Sequence, residues 1–213
     1  AIGELMATQV SGASNKPSSY WTGGYTGRVK TTWRKSKFES GGGVLIMNYI
    51  YDFYRLRYMT GQEIVRVFAE FGTYRTPVEV EDFITLTLRY TNGALGTWMA
   101  SSCAPGASKA GARGTKASDN RIFGTAGQIV FDNNDLHVYT DNEVEGLIPG
   151  EWTQISFPQQ SGDQAYVVYF DKFAEAVFEG RTPDIPCEEG RKTLEVLLAA
   201  YKSGETHQPV TLG

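Results

Sequence analysis

Polar and apolar residues alternate most regularly in the middle of the chain. Over 83–90 one face carries Ile84, Leu86, Leu88 and Tyr90, and the segment 64–71 alternates in the same way. This pattern predicts strands that turn one face to a core. The other segments of strand character are 2–12, 94–102, 128–132, 135–140 and 210–212.

The dipeptide Asn92-Gly93 lies between two of the predicted strands. It is the strongest short-range hairpin signal, because the favoured two-residue turn needs positive φ at both central positions. We therefore expect 83–90 and 94–102 to form a tight antiparallel hairpin.

Three segments have apolar residues at helical spacing instead. The first covers 43–59 and ends at Gly61, the second ends at Gly180, and the third begins with Glu188 and Glu189, which complement its dipole. The second helix has an apolar stripe of Tyr166, Phe170, Phe173, Ala174 and Val177. The third has a stripe of Leu194, Leu197, Leu198 and Tyr201.

Strands in the middle of the chain with helices around them predict an α+β fold, with a large, mainly antiparallel, open-faced sheet and helices on one face. The other sheet face is polar, with Thr and aromatic side chains, and no later segment is left to cover it. Two such faces can pack together, which predicts a homo-oligomer formed through the open sheet face.

Composition limits the classes of function. The chain has 213 residues, 41% of them hydrophobic, and we expect a single domain over 1–213. A net charge of −4 with interspersed charges argues against nucleic acid or an anionic membrane as partner, and no apolar run spans a bilayer. Cys103, Cys187, His137 and His207 have no ligand spacing, so we expect no metal and, with reduced thiols, a cytoplasmic protein.

Two irregular segments interrupt the pattern. Residues 13–40 carry a basic run with five cations between Arg28 and Lys37, which is either a solvated loop or a neighbour of an anionic ligand. The same segment holds Tyr20, Trp21, Tyr25 and Trp33, so we expect it to pack on the rest of the protein. The second segment, 104–118, is rich in Gly, Ala and Lys and predicts a mobile loop.

The first helix carries the clearest functional signal. Three glycines, 41–43, allow a close backbone approach, and polar groups follow in the first two helical turns. Asn48 either binds substrate hydroxyls or bonds to local backbone. Asp52 lies about 100° from Tyr51 on a helix, so we expect it to point elsewhere, into solvent. This block indicates the substrate side of an active site.

Several motifs in this order resemble one known family. They are the Gly-Gly-Gly helix ending in Thr-Gly, Tyr-Thr-Asn-Gly-Ala-Leu-Gly over 90–96, Arg-Ile-Phe-Gly-Thr-Ala-Gly-Gln-Ile over 121–129, and the two C-terminal helices over 170–183 and 188–203. Together they resemble the C-terminal domain of the glucose–fructose oxidoreductase and inositol dehydrogenase family (Gfo/Idh/MocA), across nearly the whole chain.

The resemblance implies an architecture similar to the C-terminal domain of glyceraldehyde-3-phosphate dehydrogenase. It implies that this domain supplies the pocket for a sugar, inositol or related polyol, and the oligomer interface. NAD or NADP belongs to an N-terminal dinucleotide-binding domain, which we expect to be absent from this chain. No strand followed by Gly-x-Gly-x-x-Gly is present, so the chain has no cofactor-binding residue and is expected to be inactive alone.

The chain departs from the family pattern after the triple glycine. The usual pattern is Asp-x-Gly-x-His-x-x-Asp, and this chain has Met47, Tyr49, Tyr51 and Tyr54 at those positions. Tyr51 therefore stands at the usual catalytic histidine. It is a substituted acid/base, a sugar contact or a core tyrosine; as a base it would need a nearby cation, since a tyrosine hydroxyl ordinarily ionises near pH ~10.

The resemblance assigns substrate contacts to Asn48, Tyr49 and the pair Trp33-Arg34, which either stacks on a sugar ring or anchors its loop. The function expected is the substrate-binding and oligomerisation domain of an NAD(P)-dependent oxidoreductase. The alternatives are a stand-alone scaffold that has lost the chemistry, favoured by Met47 and Tyr51, and a carbohydrate-binding module suggested by the aromatic loop 20–33.

Overall fold

A single nine-stranded sheet runs through the computed structural model, which describes residues 1–24, 28–107, 118–132, 135–158 and 162–213. The strand order is β8-β7-β6-β5-β1-β4-β3-β2-β9. The strands are β1 (Leu5–Ala13), β2 (Ile64–Gly72), β3 (Phe83–Tyr90), β4 (Leu95–Ser101), β5 (Ser118–Gly124), β6 (Gly127–Asp132), β7 (Asp135–Thr140), β8 (Trp152–Ser156) and β9 (Val210–Thr211).

The first strand of the chain lies in the centre of the sheet. β1 pairs parallel with β4 and antiparallel with β5, and the other pairs are antiparallel. The mainly antiparallel α+β fold predicted from the alternation is confirmed. β5 and β8 were not predicted from the sequence.

Two helices, Ile50–Thr60 and Cys187–Thr206, pack on one face of this sheet. The helical elements are α1 (Tyr20–Gly23), a 3₁₀ turn (Trp33–Lys35), α2 (Lys37–Ser40), a π-helical turn (Leu45–Tyr49), α3 (Ile50–Thr60), α4 (Gly162–Glu179) and α5 (Cys187–Thr206). On the covered face Phe53 of α3 stacks on Trp98 of β4, with ring centroids 4.1 Å apart. Leu197 of α5 is also fully buried in the core.

The hairpin between β3 and β4 forms where it was predicted, but its turn is of another type. Gly93 has φ 86°, and Asn92 is not among the residues of positive φ. Gly93 N–H donates to the Tyr90 carbonyl at 2.9 Å, and Tyr90 N–H donates to the Ala94 carbonyl at 3.0 Å. One left-handed glycine after a type I turn gives a longer loop with a bulge, which suits the right-handed strand twist as well.

The apolar stripe of α4 that the sequence predicts does not face the core. Ala176 is the one buried residue among the side chains of α4 that the structure describes. Tyr166, Phe170 and Val177 of the stripe are exposed. Apolar residues also occupy the other sides of this helix, such as Val167 and Phe178, so its sequence does not single out one side for burial.

A buried arginine connects three elements at one end of the helical layer. Arg57 of α3 is 4% exposed and donates to Glu63, just before β2, at 2.5 and 2.9 Å. It also donates to Glu189 Oε2 at 2.9 Å and to Thr193 Oγ1 at 3.1 Å on α5. Lys192 adds a second cation to Glu63 at 3.1 Å.

The uncovered face of the sheet carries mixed side chains. Phe68, Thr87, Thr97 and Met99 lie there on three neighbouring strands, with Met99 opposite Thr85 and Thr97 opposite Thr87. Among the helices that the structure describes, none has the length and apolar character needed to cross a bilayer.

Candidate functional site

The triple glycine packs against the protein itself. Gly43 N–H and Leu45 N–H donate to the Glu81 carboxylate at 2.8 and 3.0 Å, and Tyr201 hydroxyl donates to it at 2.8 Å. A Cβ at Gly43 would lie 2.0 Å from the Glu81 carbonyl oxygen, and a Cβ at Gly42 would lie 2.0 Å from Tyr201 Oη. The close approach predicted from the glycines is therefore to Glu81 and Tyr201.

This turn does not fit a dinucleotide. Dinucleotide folds bind the pyrophosphate with N–H groups at a helix N-terminus after a strand. Here those N–H groups already bind a buried carboxylate, whose negative charge would repel a phosphate. Burial raises the pKa of Glu81, and the hydrogen bonds from Leu45 and Tyr201 oppose that rise.

A π-helical turn separates the glycines from α3. It covers Leu45–Tyr49 and continues without a break into Ile50–Thr60. A π turn holds one residue more than an α turn, so side chains after it are rotated by about one position relative to an unbroken α-helix.

A polar cavity of about 340 Å³ lies between the end of β1 and the start of the first long helix. The strand and the chain after it contribute Ser11, Gly12, Ala13, Ser14 and Lys16, the helix contributes Asn48, Tyr49, Asp52 and Arg55, and β5 contributes Asn120. Among the residues predicted from sequence, the structure brings Asn48 and Tyr49 together here.

Asp52 is a cavity residue, and the expectation that it points into solvent is wrong. Its side chain is 24% exposed and pairs with Arg55, with 2.6 Å between Arg55 Nη2 and Asp52 Oδ1. Burial raises the pKa of Asp52, and Arg55 opposes that rise. The expectation was judged from Tyr51, but Tyr51 faces outward, so Asp52, about 100° away on the helix, faces the cavity instead.

Tyr49 forms part of the cavity wall. Burial, with a smaller contribution from the Asp52 charge, raises the pKa of Tyr49 to about 12, so its hydroxyl stays neutral at physiological pH. A Cβ at Gly12 would lie 2.2 Å from Tyr49 Oη, and the Tyr49 ring meets Trp98 edge-on at 5.9 Å. Gly12 thus makes room for the tyrosine that stands where the family pattern has glycine.

Tyr51 lies apart from this cavity. It is 75% exposed and is not among the cavity-lining residues that the structure describes. Tyr54 and Tyr58, also on α3, stack on each other with centroids 6.1 Å apart. The structure therefore does not bring Tyr51 together with Asn48 and Tyr49.

Trp33 and Arg34 lie in the packed part of the 13–40 segment. The Arg34 guanidinium lies 4.4 Å from the Trp33 ring centroid and 5.0 Å from that of Tyr20. Lys16, which lines the cavity, lies 5.0 Å from the same Tyr20 ring. Arg34 thus contacts both Trp33 and Tyr20, and Tyr20 lies at the border of the cavity. Tyr25 lies outside the described residues.

The aromatic segment packs as predicted. Tyr20 and Trp21 form a small buried cluster with Val80, and Met47 packs against it. Tyr20 hydroxyl donates to Met47 Sδ at 3.9 Å. Most of the predicted mobile loop, from 108 to 117, lies outside the described residues, as does the turn at 133–134.

Sequence analysis missed Lys16, Asp52, Arg55 and Asn120 as cavity residues. One signal was present in the sequence: Asn48, Asp52 and Arg55 follow the spacing i, i+4 and i+7, which places polar groups on one helix face. Lys16 and Asn120 carry no such signal, because only the sheet order brings them to this helix. In the part of the chain that the structure describes, no group of three or more potential metal ligands is found.

The open sheet with helices on one face agrees with one known family of domains. The chain belongs to the GFO/IDH/MocA family, since the model of the GFO/IDH/MocA C-terminal domain matches residues 1–130.

Relatives of known identity agree with this assignment. The chain is 29% identical to myo-inositol 2-dehydrogenase of Thermotoga maritima over 180 residues, which covers 80% of this chain and 49% of that protein. It is similar in structure to levoglucosan dehydrogenase in complex with NADH, with a TM-score of 0.80, 19% identity, and coverage of 100% of this chain and 60% of that one.

A second similar structure is aldose-aldose oxidoreductase from Caulobacter crescentus complexed with glycerol. Its TM-score is 0.73 at 21% identity, and the match covers 99% of this chain and 56% of that one. The chain thus spans about half the length of the curated relative, 49%, and somewhat more of the solved structures.

Proposed function

We propose that this chain is the substrate-binding and oligomerisation domain of an NAD(P)-dependent oxidoreductase that acts on a sugar, inositol or related polyol. One observation carries the proposal: the cavity at the end of β1 is built entirely from residues within 1–130, the part that matches the family's C-terminal domain. The names of the relatives, which are dehydrogenases or oxidoreductases of such compounds, support the substrate class.

The dinucleotide belongs, in this proposal, to a domain outside 1–213. Two observations support this division. The relatives are longer than the match, which covers 49% of one and 60% of another. The glycine turn of this chain is filled by Glu81 and Tyr201 instead of a phosphate.

Within this chain, Asn48 and Tyr49 contact the substrate from the cavity wall. Trp33 and Arg34 hold the neighbouring loop in place through Tyr20. Tyr51 faces outward, so it meets a substrate only at the boundary with the dinucleotide-binding domain. Oxidation of an alcohol also needs a group that takes the hydroxyl proton, which general bases do with a gain of about 10²–10⁴ in rate.

Titration calorimetry of this chain with NAD(H) and NADP(H) tests whether the dinucleotide binds outside residues 1–213. We expect no heat of binding, because the glycine turn has no free N–H groups for a pyrophosphate. Binding with a micromolar Kd would contradict the proposal. The complementary measurement is reduction of NAD(P)⁺ by the complete gene product with a panel of polyols, where we expect activity.

A stand-alone module without chemistry is the second candidate. It is favoured by Met47 and Tyr51 at the positions of the usual carboxylate and histidine, and by the outward direction of Tyr51. The same polyol panel separates the two, since a scaffold reduces no dinucleotide with any substrate.

The partners proposed are a sugar or polyol and further copies of this chain, with neither nucleic acid nor a membrane. The uncovered sheet face with Thr97 and Met99 supports the self-association. We place the protein in the cytoplasm, which agrees with two cysteines, Cys103 and Cys187, that are both unpaired as disulfides.

A further inference from the structure

We propose that the cavity beside β1 is the binding site for neighbouring hydroxyl groups of a neutral polyol, and that the Asp52 carboxylate is the acceptor of their hydrogen bonds. The inference rests on the proposed function for its ligand class. It goes further in assigning the key contact to Asp52, a residue that the family pattern does not mark.

The first step is the direction of Asp52. Asp52 lines the cavity at the end of β1 on the same helix face as Asn48 and Arg55, while Tyr51 faces outward. A π turn, Leu45–Tyr49, lies directly before this part of the helix, and π turns inside helices often occur at functional sites. The carboxylate that the helix presents to this cavity is therefore Asp52.

The second step is the hydrogen-bonding capacity of the carboxylate. An ionised carboxylate has two oxygens with about four acceptor sites. Arg55 pairs with Oδ1, which keeps the side chain in place and leaves acceptor capacity for a ligand. Two hydroxyls on adjacent carbons can donate to the two oxygens of one carboxylate, in the same way as paired N–H groups do.

The third step is the supply of donors around Asp52. Asn120 Oδ1 accepts a hydrogen bond from Ser11 N–H at 3.2 Å, which directs the NH₂ group of Asn120 away from the strand as a donor. Asn48 brings a second amide, and the neutral Tyr49 hydroxyl is a further donor. Hydroxyl groups both donate and accept, so they match a wall that mixes amides with a carboxylate.

The cavity wall presents charges of both signs. Asp52 is paired with Arg55, and Lys16 lies on the same wall, so much of the charge is compensated within the protein. A neutral ligand with several hydroxyls can donate to the carboxylate and accept from the cations without adding a charge of its own. A volume of about 340 Å³ also accommodates a ring of the size of a sugar or an inositol.

The test is an NMR titration of the full chain with myo-inositol, followed by amide chemical shifts. We expect the shifts to move at Asn48, Asp52 and Asn120. Asp52→Asn keeps the size of the side chain but replaces acceptor oxygen with a donor, so it should weaken binding at least about tenfold. Asn48→Ala is the second variant, and Asp141→Asn, at an exposed carboxylate after β7, is the matched control with unchanged binding.

Three results would overturn the inference. The first is the absence of shift changes at high inositol concentration, and the second is binding that Asp52→Asn leaves unchanged while the variant keeps its dispersed spectrum. The third is a set of shifts around Tyr51 that Tyr51→Phe removes. The polyol oxidation assay of the complete gene product fails or succeeds independently of these outcomes, so the proposed function is judged separately.

Discussion

At the scale of single residues, the glycines at the start of the first helix are explained by what they contact. Gly43 touches the backbone of Glu81, and Gly42 touches the hydroxyl of Tyr201. Overpacking of this kind costs about 1–3 kcal/mol. Sequence alone predicted a close approach here but not its partner, because Glu81 and Tyr201 are brought to this turn by the tertiary fold.

We predict that Gly43→Ala lowers the free energy of unfolding by about 1–3 kcal/mol, since its Cβ meets the Glu81 carbonyl. Gly190→Ala is the matched control, because a Cβ at this exposed position of α5 meets nothing within 4 Å. At position 190, replacing glycine with alanine inside a helix should raise the free energy of unfolding by up to about 1 kcal/mol. Urea unfolding of both variants measures the two effects, and equal destabilisation would contradict the explanation.

The ion pairs around Arg57 should make the stability of the fold depend on pH. Hydrogen bonding to Arg57, aided by Lys192 and opposed by burial, lowers the pKa of Glu63 from 4.5 to about 2. Because the native pKa is the lower one, the ionised carboxylate stabilises the fold above pH ~4.5 and this contribution disappears as the pH falls towards ~2. Glu63→Gln should therefore be less stable than the unsubstituted chain near neutral pH, with a difference that shrinks in acid.

Thermal unfolding of the two proteins at several pH values checks this dependence. Glu145→Gln, at an exposed turn, is the control and should change stability little at any pH. A constant difference between the Glu63→Gln variant and the unsubstituted chain across the acid range would show that the carboxylate charge is not the cause.

At the scale of elements, strands were easier to predict than helix directions. The alternation in β3 specifies its buried face, since a strand has only two sides. The helix predicted over 43–59 is a π turn, Leu45–Tyr49, followed by α3, Ile50–Thr60. The predicted direction of Asp52 was wrong because it was judged from Tyr51, which faces outward. α4 was predicted as a helix, but the side of it that would be buried was not, because α4 carries apolar side chains on more than one side.

The exposed face of the sheet gives a prediction about assembly. We expect the chain to form at least a dimer in solution, and Met99→Glu, a charge in the middle of this face, to dissociate it. Met59→Glu is the matched control, since Met59 on α3 is similarly exposed, 38% against 41% for Met99, but lies on the helical side. Light scattering coupled to gel filtration gives the masses, and an unchanged mass for Met99→Glu would locate the interface elsewhere.

At the scale of the whole molecule, two surfaces differ from an ordinary exterior. One is the uncovered sheet face, and the other is α4, whose exposed aromatic side chains include Tyr166, Phe170 and Phe178. A helix that is apolar all round is usually buried. Together with a relative of which the match covers 49%, this agrees with the proposal that the chain functions with a second domain.

The sheet order has a consequence for how the chain can be divided. β4 and β5 are not neighbours, so the β2–β4 ribbon and the β5–β8 ribbon meet only through the first strand. Removal of residues 1–13 would separate the sheet into two pieces, each with a newly exposed edge. Such edges recruit strands from other molecules, so loss of β1 should convert this protein to an aggregating species, whereas loss of the short strand β9 leaves both ribbons joined.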